Sequence, residues 1–127
     1  MANPKEIMSA QKEFKGLKGE GKDFDSTCES FMILRDEEGN VKAIAGYKVE
    51  GKYMYLAFYK GDGLVNGVAL RAFFELIKRA RQANLGAMID ATDNKLALEL
   101  FASYGLKKSG DTYKVSKNTL EKLVGDF

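Results

Sequence analysis

The sequence predicts an α+β fold: a mixed, mostly antiparallel sheet with a central parallel strand pair and flanking helices. Three observations carry this expectation. Between Ser30 and Tyr59 three strand-like runs follow one another on short polar connections, the pattern of an antiparallel meander. A long amphipathic stretch then leads into a short apolar run, Ala87 to Ala91. The strands before and after that stretch should therefore lie parallel, joined by a right-handed crossover. Beyond Ala91 the apolar spacing becomes helical, is ended by Gly105, and gives way to a last hairpin.

Taken in order, Asn3-Pro4-Lys5-Glu6 opens a helix, with a capping side chain, a proline at the first helical position and a glutamate near the third. Ile7, Ala10, Gln11 and Phe14 then form one short face. The stretch KGLKGEGKDFDST that follows is rich in glycine and charge and reads as loop or linker. Residues 1–28 are accordingly expected to be an N-terminal helix and flexible linker, and residues 29–127 a globular domain, the only one in the chain. Phe31 to Leu34 is an apolar strand, Asp36 to Asn40 a turn, and Val41 to Val49 a second strand. Along it Val41, Ala43, Ala45, Tyr47 and Val49 share one face. Gly51 marks a tight turn before a third strand, Tyr53 to Tyr59.

From about Val65 to Ala83 the positions Val65, Val68, Ala69, Ala72, Phe73, Leu76, Ile77 and Ala80 form a broad apolar stripe. Arg71, Glu75, Lys78, Arg79 and Gln82 occupy the other side, and Gly86 follows the helix end. After the strand at Ala87, Asp93 or Thr92 can accept the free amides of the next helix. Its stripe is Ala97, Leu100, Phe101 and Tyr104, and Gly105 stands where a left-handed residue is wanted. Leu106-Lys107-Lys108 and Thr112 to Val115 flank a Ser-Gly-Asp turn. Asn118-Thr119-Leu120-Glu121 reads as a capping box for a short closing helix.

At 127 residues the chain is long enough for one real core, and 45% hydrophobic with 30% charged residues describes an ordinary globule. Twenty basic against 18 acidic residues leave +2, so charge offers no case for nucleic acid or for a membrane surface. No apolar run reaches spanning length and the N-terminus does not read as a signal peptide. The single cysteine, Cys28, cannot form an intramolecular disulfide, and a reducing, cytoplasmic setting is expected. It has no paired base in the sequence and reads as inert. Histidine is absent, which removes Ser-His-Asp and Cys-His catalysis and any histidine-ligated metal; no metal is expected.

The segment Lys60-Gly61-Asp62-Gly63-Leu64-Val65 is a glycine-rich turn opening a helix. Such a turn presents unpaired amides and the positive end of a helix dipole, a seat for phosphate, although a plain turn has the same composition. Asp90, an acid inside an apolar strand, needs a partner or a role. Glu50, Asp62 and Asp93 are further carboxylates able to serve as a base. Tyr47, Tyr53, Tyr55 and Tyr59 either line a substrate groove or form one half-buried sheet face. Lys107 and Lys108 either attract a phosphate or are a solvated turn.

The stretch GAMIDATDNKLALELFASYG, Gly86 to Gly105, continued to Leu106, resembles the last motif of the GCN5-related N-acetyltransferase (GNAT) superfamily. The family pattern of Asn, Ala, Leu-Tyr and Gly-Phe stands here as Asn94, Ala97, Leu100-Phe101 and Gly105-Leu106. Ala45-Gly46-Tyr47 is similar to the family's central-strand signature, and Lys60 to Val65 to its pyrophosphate loop, Gln/Arg-x-x-Gly-x-Gly/Ala. Lys60 stands for the Gln/Arg and Gly63 for the central glycine. Val65 departs from the last small residue, unless Gly67 takes that role in a longer loop. The resemblance covers about Glu29 to Val115.

The resemblance implies an acetyl-CoA-dependent N-acyltransferase, weakly active, acting on an amine of a small molecule or protein. Acetyl-CoA would be the co-substrate, held by Lys60, Gly61, Asp62, Gly63, Leu64 and Val65 and bordered by Asn94 and Phe101. A backbone amide of Tyr55, Leu56 or Ala57 would polarise the thioester carbonyl. The base such a transfer needs could be Asp90, the acid that stands out in its strand, or Glu50, Asp62 or Asp93, directly or through water. The family's acid is a tyrosine where this chain has Phe101; Tyr104, one turn on, either substitutes for it or is a core aromatic. The family's first strand and two substrate-facing helices have only some 28 residues here, so recognition is expected to be unusual or to come from a partner subunit, and a homodimer or protein partner is left open. The alternative is a non-catalytic GNAT-like structural or binding protein, for example phage virion-associated or host-inhibitory.

Overall fold

The computed structural model describes residues 2–17, 23–61 and 68–124. Within them lie, in chain order, α1 (Pro4–Gly16), β1 (Ser30–Arg35), β2 (Val41–Glu50), β3 (Tyr53–Gly61), α2 (Val68–Gln82), β4 (Gly86–Asp90), α3 (Lys95–Ser103), β5 (Lys107–Ser109), β6 (Thr112–Val115) and α4 (Lys117–Val124). The strands form a six-stranded sheet in the order β1-β2-β3-β4-β6-β5. The expected parallel pair is present: Tyr53 lies opposite Gly86, Met54 opposite Ala87 and Tyr55 opposite Met88. β4 and β5 each pair antiparallel with β6, and β1 with β2, where the register shifts between Leu34 and Arg35.

The local signals account for most element ends. The Asn3 side chain accepts from the Glu6 amide at 2.9 Å, and Pro4 fills the first helical position of α1. Gly105 adopts φ +77 just past α3, where any Cβ would be strained. Three caps differ from expectation. Asn94, not Thr92 or Asp93, caps α3: its Oδ1 accepts from the Ala97 amide at 3.0 Å, while Thr92 Oγ1 accepts from the Asn94 amide at 3.2 Å. The threonine thus braces the cap residue instead of capping. Ser116 rather than Asn118 caps α4, its Oγ accepting from the Thr119 amide at 3.3 Å, because the helix begins directly after β6 ends at Val115. Asn84, with φ 57, takes the left-handed position after α2. Gly86 instead begins β4, where a Cβ would overlap the Val115 carbonyl and the Tyr53 ring. The start of the long helix expected at Val65 lies outside the described residues.

The chain divides into two compact units, Met1–Lys48 with Leu56–Phe73, and Val49–Tyr55 with Phe74–Phe127. In the first, the rings of Phe14, Phe24, Phe31 and Phe58 pack together at centroid distances of 5.2–6.3 Å. Gly46 has no room for a side chain, since a Cβ there would collide with the Phe58 ring and Cys28 Sγ. Part of the stretch read as linker is tied into this unit: Phe24 stacks on Phe31 with the rings 7° from parallel. Asp25 accepts from Lys48 Nζ at 2.8 Å, and Cys28 is fully buried. In the second unit Met54, Leu76, Ile77, Ala80, Ala87, Phe101, Leu106, Val115 and Leu120 are buried, and α4 packs against β4.

Candidate functional site

Strand register divides the second unit's part of the sheet into two faces. Opposed residues point to the same side and alternate along each strand. One face therefore carries Met54, Ala87, Ile89, Tyr113 and Val115. Phe101 of α3 lies on it, its ring 5.4 Å from that of Tyr113, and α2 meets α3 through Phe74 and Tyr104, 6.1 Å apart. The other face carries Tyr53 and Tyr55 from β3, Met88 and Asp90 from β4, Thr112 and Lys114 from β6, and Lys107 and Ser109 from β5.

On that second face the Tyr55 hydroxyl donates to Asp90 Oδ1 at 2.6 Å. Both residues are half-buried. The pairing follows from register: Tyr55 is opposite Met88, and Asp90 is two residues further along β4 on the same side. The acid that stands out in an apolar strand thus has its partner 35 residues upstream. A short hydrogen bond from a phenol to a carboxylate fixes the carboxylate's orientation and creates a path for a proton between them. The Lys114 ammonium lies 5.3 Å from the centre of the Tyr53 ring, within cation–π range.

The remaining site residues are placed as follows. Asn94 spends its side-chain oxygen on the α3 cap. Phe101 is 4% exposed. Tyr104 is the C-cap residue of α3, half-buried against Phe74. Glu50 and Asp93 are exposed. In the first unit, Lys60 donates to the Phe14 carbonyl at 3.2 Å and its ammonium sits 4.5 Å from the Phe14 ring centre. Gly61 ends β3. Asp62, Gly63, Leu64 and Val65, with Gly67, lie outside the described residues. Tyr47 does not belong to a groove: it is fully buried, with its hydroxyl donating to the Ala72 carbonyl at 2.8 Å. Burial, with Asp25 nearby, pushes the Cys28 thiol up to about 12, so it stays protonated and unreactive. Among the described residues no group of three Asp, Glu, Cys or His side chains is placed to hold a metal ion, and no helix is long and apolar enough to cross a membrane.

Sequence reasoning weighed the backbone amide of Tyr55 and its place in a tyrosine face, but missed its phenol as the partner of Asp90. The signal was available in the expected parallel pairing near Tyr53, carried two residues along each strand.

No protein-family model and no curated protein matches the sequence. Among solved structures, the ribosomal-protein-S18-alanine N-acetyltransferase from Escherichia coli superposes with a TM-score of 0.60 at 12% identity, covering 89% of this chain and 87% of that one. The fold is that of the GNAT acetyltransferases. A protein from Agrobacterium tumefaciens described as an acetyltransferase matches with a TM-score of 0.53 at 16% identity, over 91% of this chain and 94% of its own. GNAT folds share the features described above: a mostly antiparallel sheet, one central parallel pair, and a crossover helix between its two strands.

Proposed function

We propose that the protein is an acetyl-CoA-dependent N-acyltransferase acting on an amine, and that Asp90 and Tyr55 move its protons. The observation that carries the reading is the 2.6 Å bond between the Tyr55 hydroxyl and Asp90 Oδ1. Acyl transfer requires a neutral amine at the thioester carbonyl and a proton for the departing thiolate. Asp90 takes a proton from the amine as the N–C bond forms and the C–S bond breaks. Tyr55 gives its hydroxyl proton to the thiolate and regains one from Asp90, so a single proton passes from nitrogen to sulfur. This relay removes the need for an acid at Phe101.

Tyr55→Phe and Asp90→Asn should each lower kcat/KM for acetyl transfer by roughly 10²–10⁴-fold. Acetyl-CoA binding, followed by calorimetry, should persist in both variants. Turnover in both variants equal to that of the parent would refute the relay. A second reading, a non-catalytic binding protein, is favoured by Phe101 at the family's tyrosine position. It predicts no acetylation of any amine by the parent protein.

A further inference from the structure

The two edges of the sheet differ in kind. At one edge β5 is three exposed residues, Lys107, Lys108 and Ser109, short and charged in the manner of an edge that resists pairing. At the other edge β1 has six residues, and its run Phe31-Met32-Ile33-Leu34 carries no charge, proline or glycine. The extra residue at the register shift, Lys42, belongs to β2, so β1 itself is not bulged. Ser30 to Leu34 are half-buried, while Glu29 and Arg35 at the two ends are exposed. Among the described residues no strand lies outside β1.

We propose that β1 pairs antiparallel with β1 of a second copy of the chain, with Met32 on the two-fold axis. Backbone groups alternate in direction along a strand, so the axis of such a pair passes through a residue rather than between two. With Ile33 on the axis, Glu29 of each copy meets Glu37 of the other, a like-charge pair. With Phe31 on the axis, Arg35 meets Thr27. Only with Met32 there does Glu29 of each copy meet Arg35 of the other, twice by symmetry, while Phe31 meets Ile33 and the two methionines meet. The same two exposed charges therefore favour a second copy as the partner and select its register. A single strand pair is at the small end of specific interfaces, which makes this a reversible dimer with a Kd on the order of 10 µM.

Sedimentation velocity of the full chain between about 1 and 100 µM tests this. The parent should pass from monomer to dimer across that range. Met32→Lys, which puts a charge on the axis, should stay monomeric. Glu29→Arg should weaken the dimer by about tenfold, and Glu29→Arg/Arg35→Glu should restore it, a recovery that misfolding would not produce. Residues directly opposite on paired strands have Cα atoms about 4.5–5.5 Å apart, within the span of a disulfide. Met32→Cys should therefore form a covalent dimer on oxidation, and Ile33→Cys should not. Cys28 is fully buried with its thiol pushed up to about 12, so it does not compete. A parent that stays monomeric throughout, a dimer that persists in Met32→Lys, or cross-linking by Ile33→Cys but not Met32→Cys would overturn the proposal. Acetyl transfer is measured separately, and neither result decides the other.

Discussion

At the scale of single residues, charge placement separates groups that can move protons from those that only hold the fold. Burial raises the Asp25 carboxyl, but hydrogen bonds from Lys48 and Thr27 outweigh it and bring it from an ordinary 3.8 down to about 2. A carboxyl depressed in the folded state stabilises the protein above its unfolded value, and that contribution fades as pH falls from about 4 through about 2. A shift of this size corresponds to about 2 kcal/mol at most, and partial exposure of both partners reduces it to about 1 kcal/mol. Asp25→Asn should therefore be less stable than the parent at pH 7 by about 1 kcal/mol, and the gap should close near pH 2. Urea unfolding at several pH values measures this, and a gap that is constant with pH would show that the ion pair is not its source. Asp36 is held below the usual carboxylate range by the Asn40 and Glu38 amides, the first of these contributing most, and it closes the β1–β2 turn. Cys28 shows the opposite case, a nucleophile silenced by burial.

At the scale of elements, α3 is a nine-residue helix whose start depends on one side chain. A helix this short is marginal by itself, so its cap and its buried face hold it in place. Removing the bond from Asn94 to the Ala97 amide by Asn94→Ala should cost about 1 kcal/mol. Thermal unfolding would record this as a fall in Tm of about 4 °C for a domain of this size. Asn94→Asp, which keeps an acceptor and adds charge at the positive end of the helix, should restore the loss. Failure of the aspartate to do so would mean that Asn94 matters through another contact. Thr92 and Asp93 were equally good caps on composition. The chain direction set by β4 and by the bond from the Ala91 amide to the Asp111 carbonyl decides in favour of Asn94.

At the scale of the whole molecule, glycines placed where strands and rings meet matter more than their lack of a side chain suggests. Gly46 lies beneath the Phe58 ring, and Phe58 touches the rings of Phe14, Phe24 and Phe31. Gly46→Ala must displace an aromatic ring packed on three others, with Cys28 Sγ on the remaining side. Overpacking of this kind costs about 1–3 kcal/mol. The double variant Gly46→Ala/Phe58→Leu should recover part of that loss, because the smaller side chain frees the space. Additive effects in a double-mutant cycle would show that the two positions do not compete for space. The same aromatic cluster anchors part of the supposed linker through Phe24, which with buried Leu17 is one of two apolar residues in a charged, glycine-rich stretch.

By itself the sequence determined the order of helices and strands, the caps at Asn3 and Gly105, and the parallel pairing of β3 with β4. Each of these depends on residues within a turn of one another, or on the near-universal hand of a crossover connection. It also marked Asp90 as an acid in need of a partner. Tertiary structure alone decided which partner that was. Whether Tyr55 reaches Asp90, whether Lys107 opposes Lys114, and whether Tyr47 lies in a groove or in the core all depend on register, and a slip of one residue moves every side chain to the other face. Composition does not encode register. It is set by how the whole sheet packs, so the residues of the candidate site were legible one at a time while their arrangement was not.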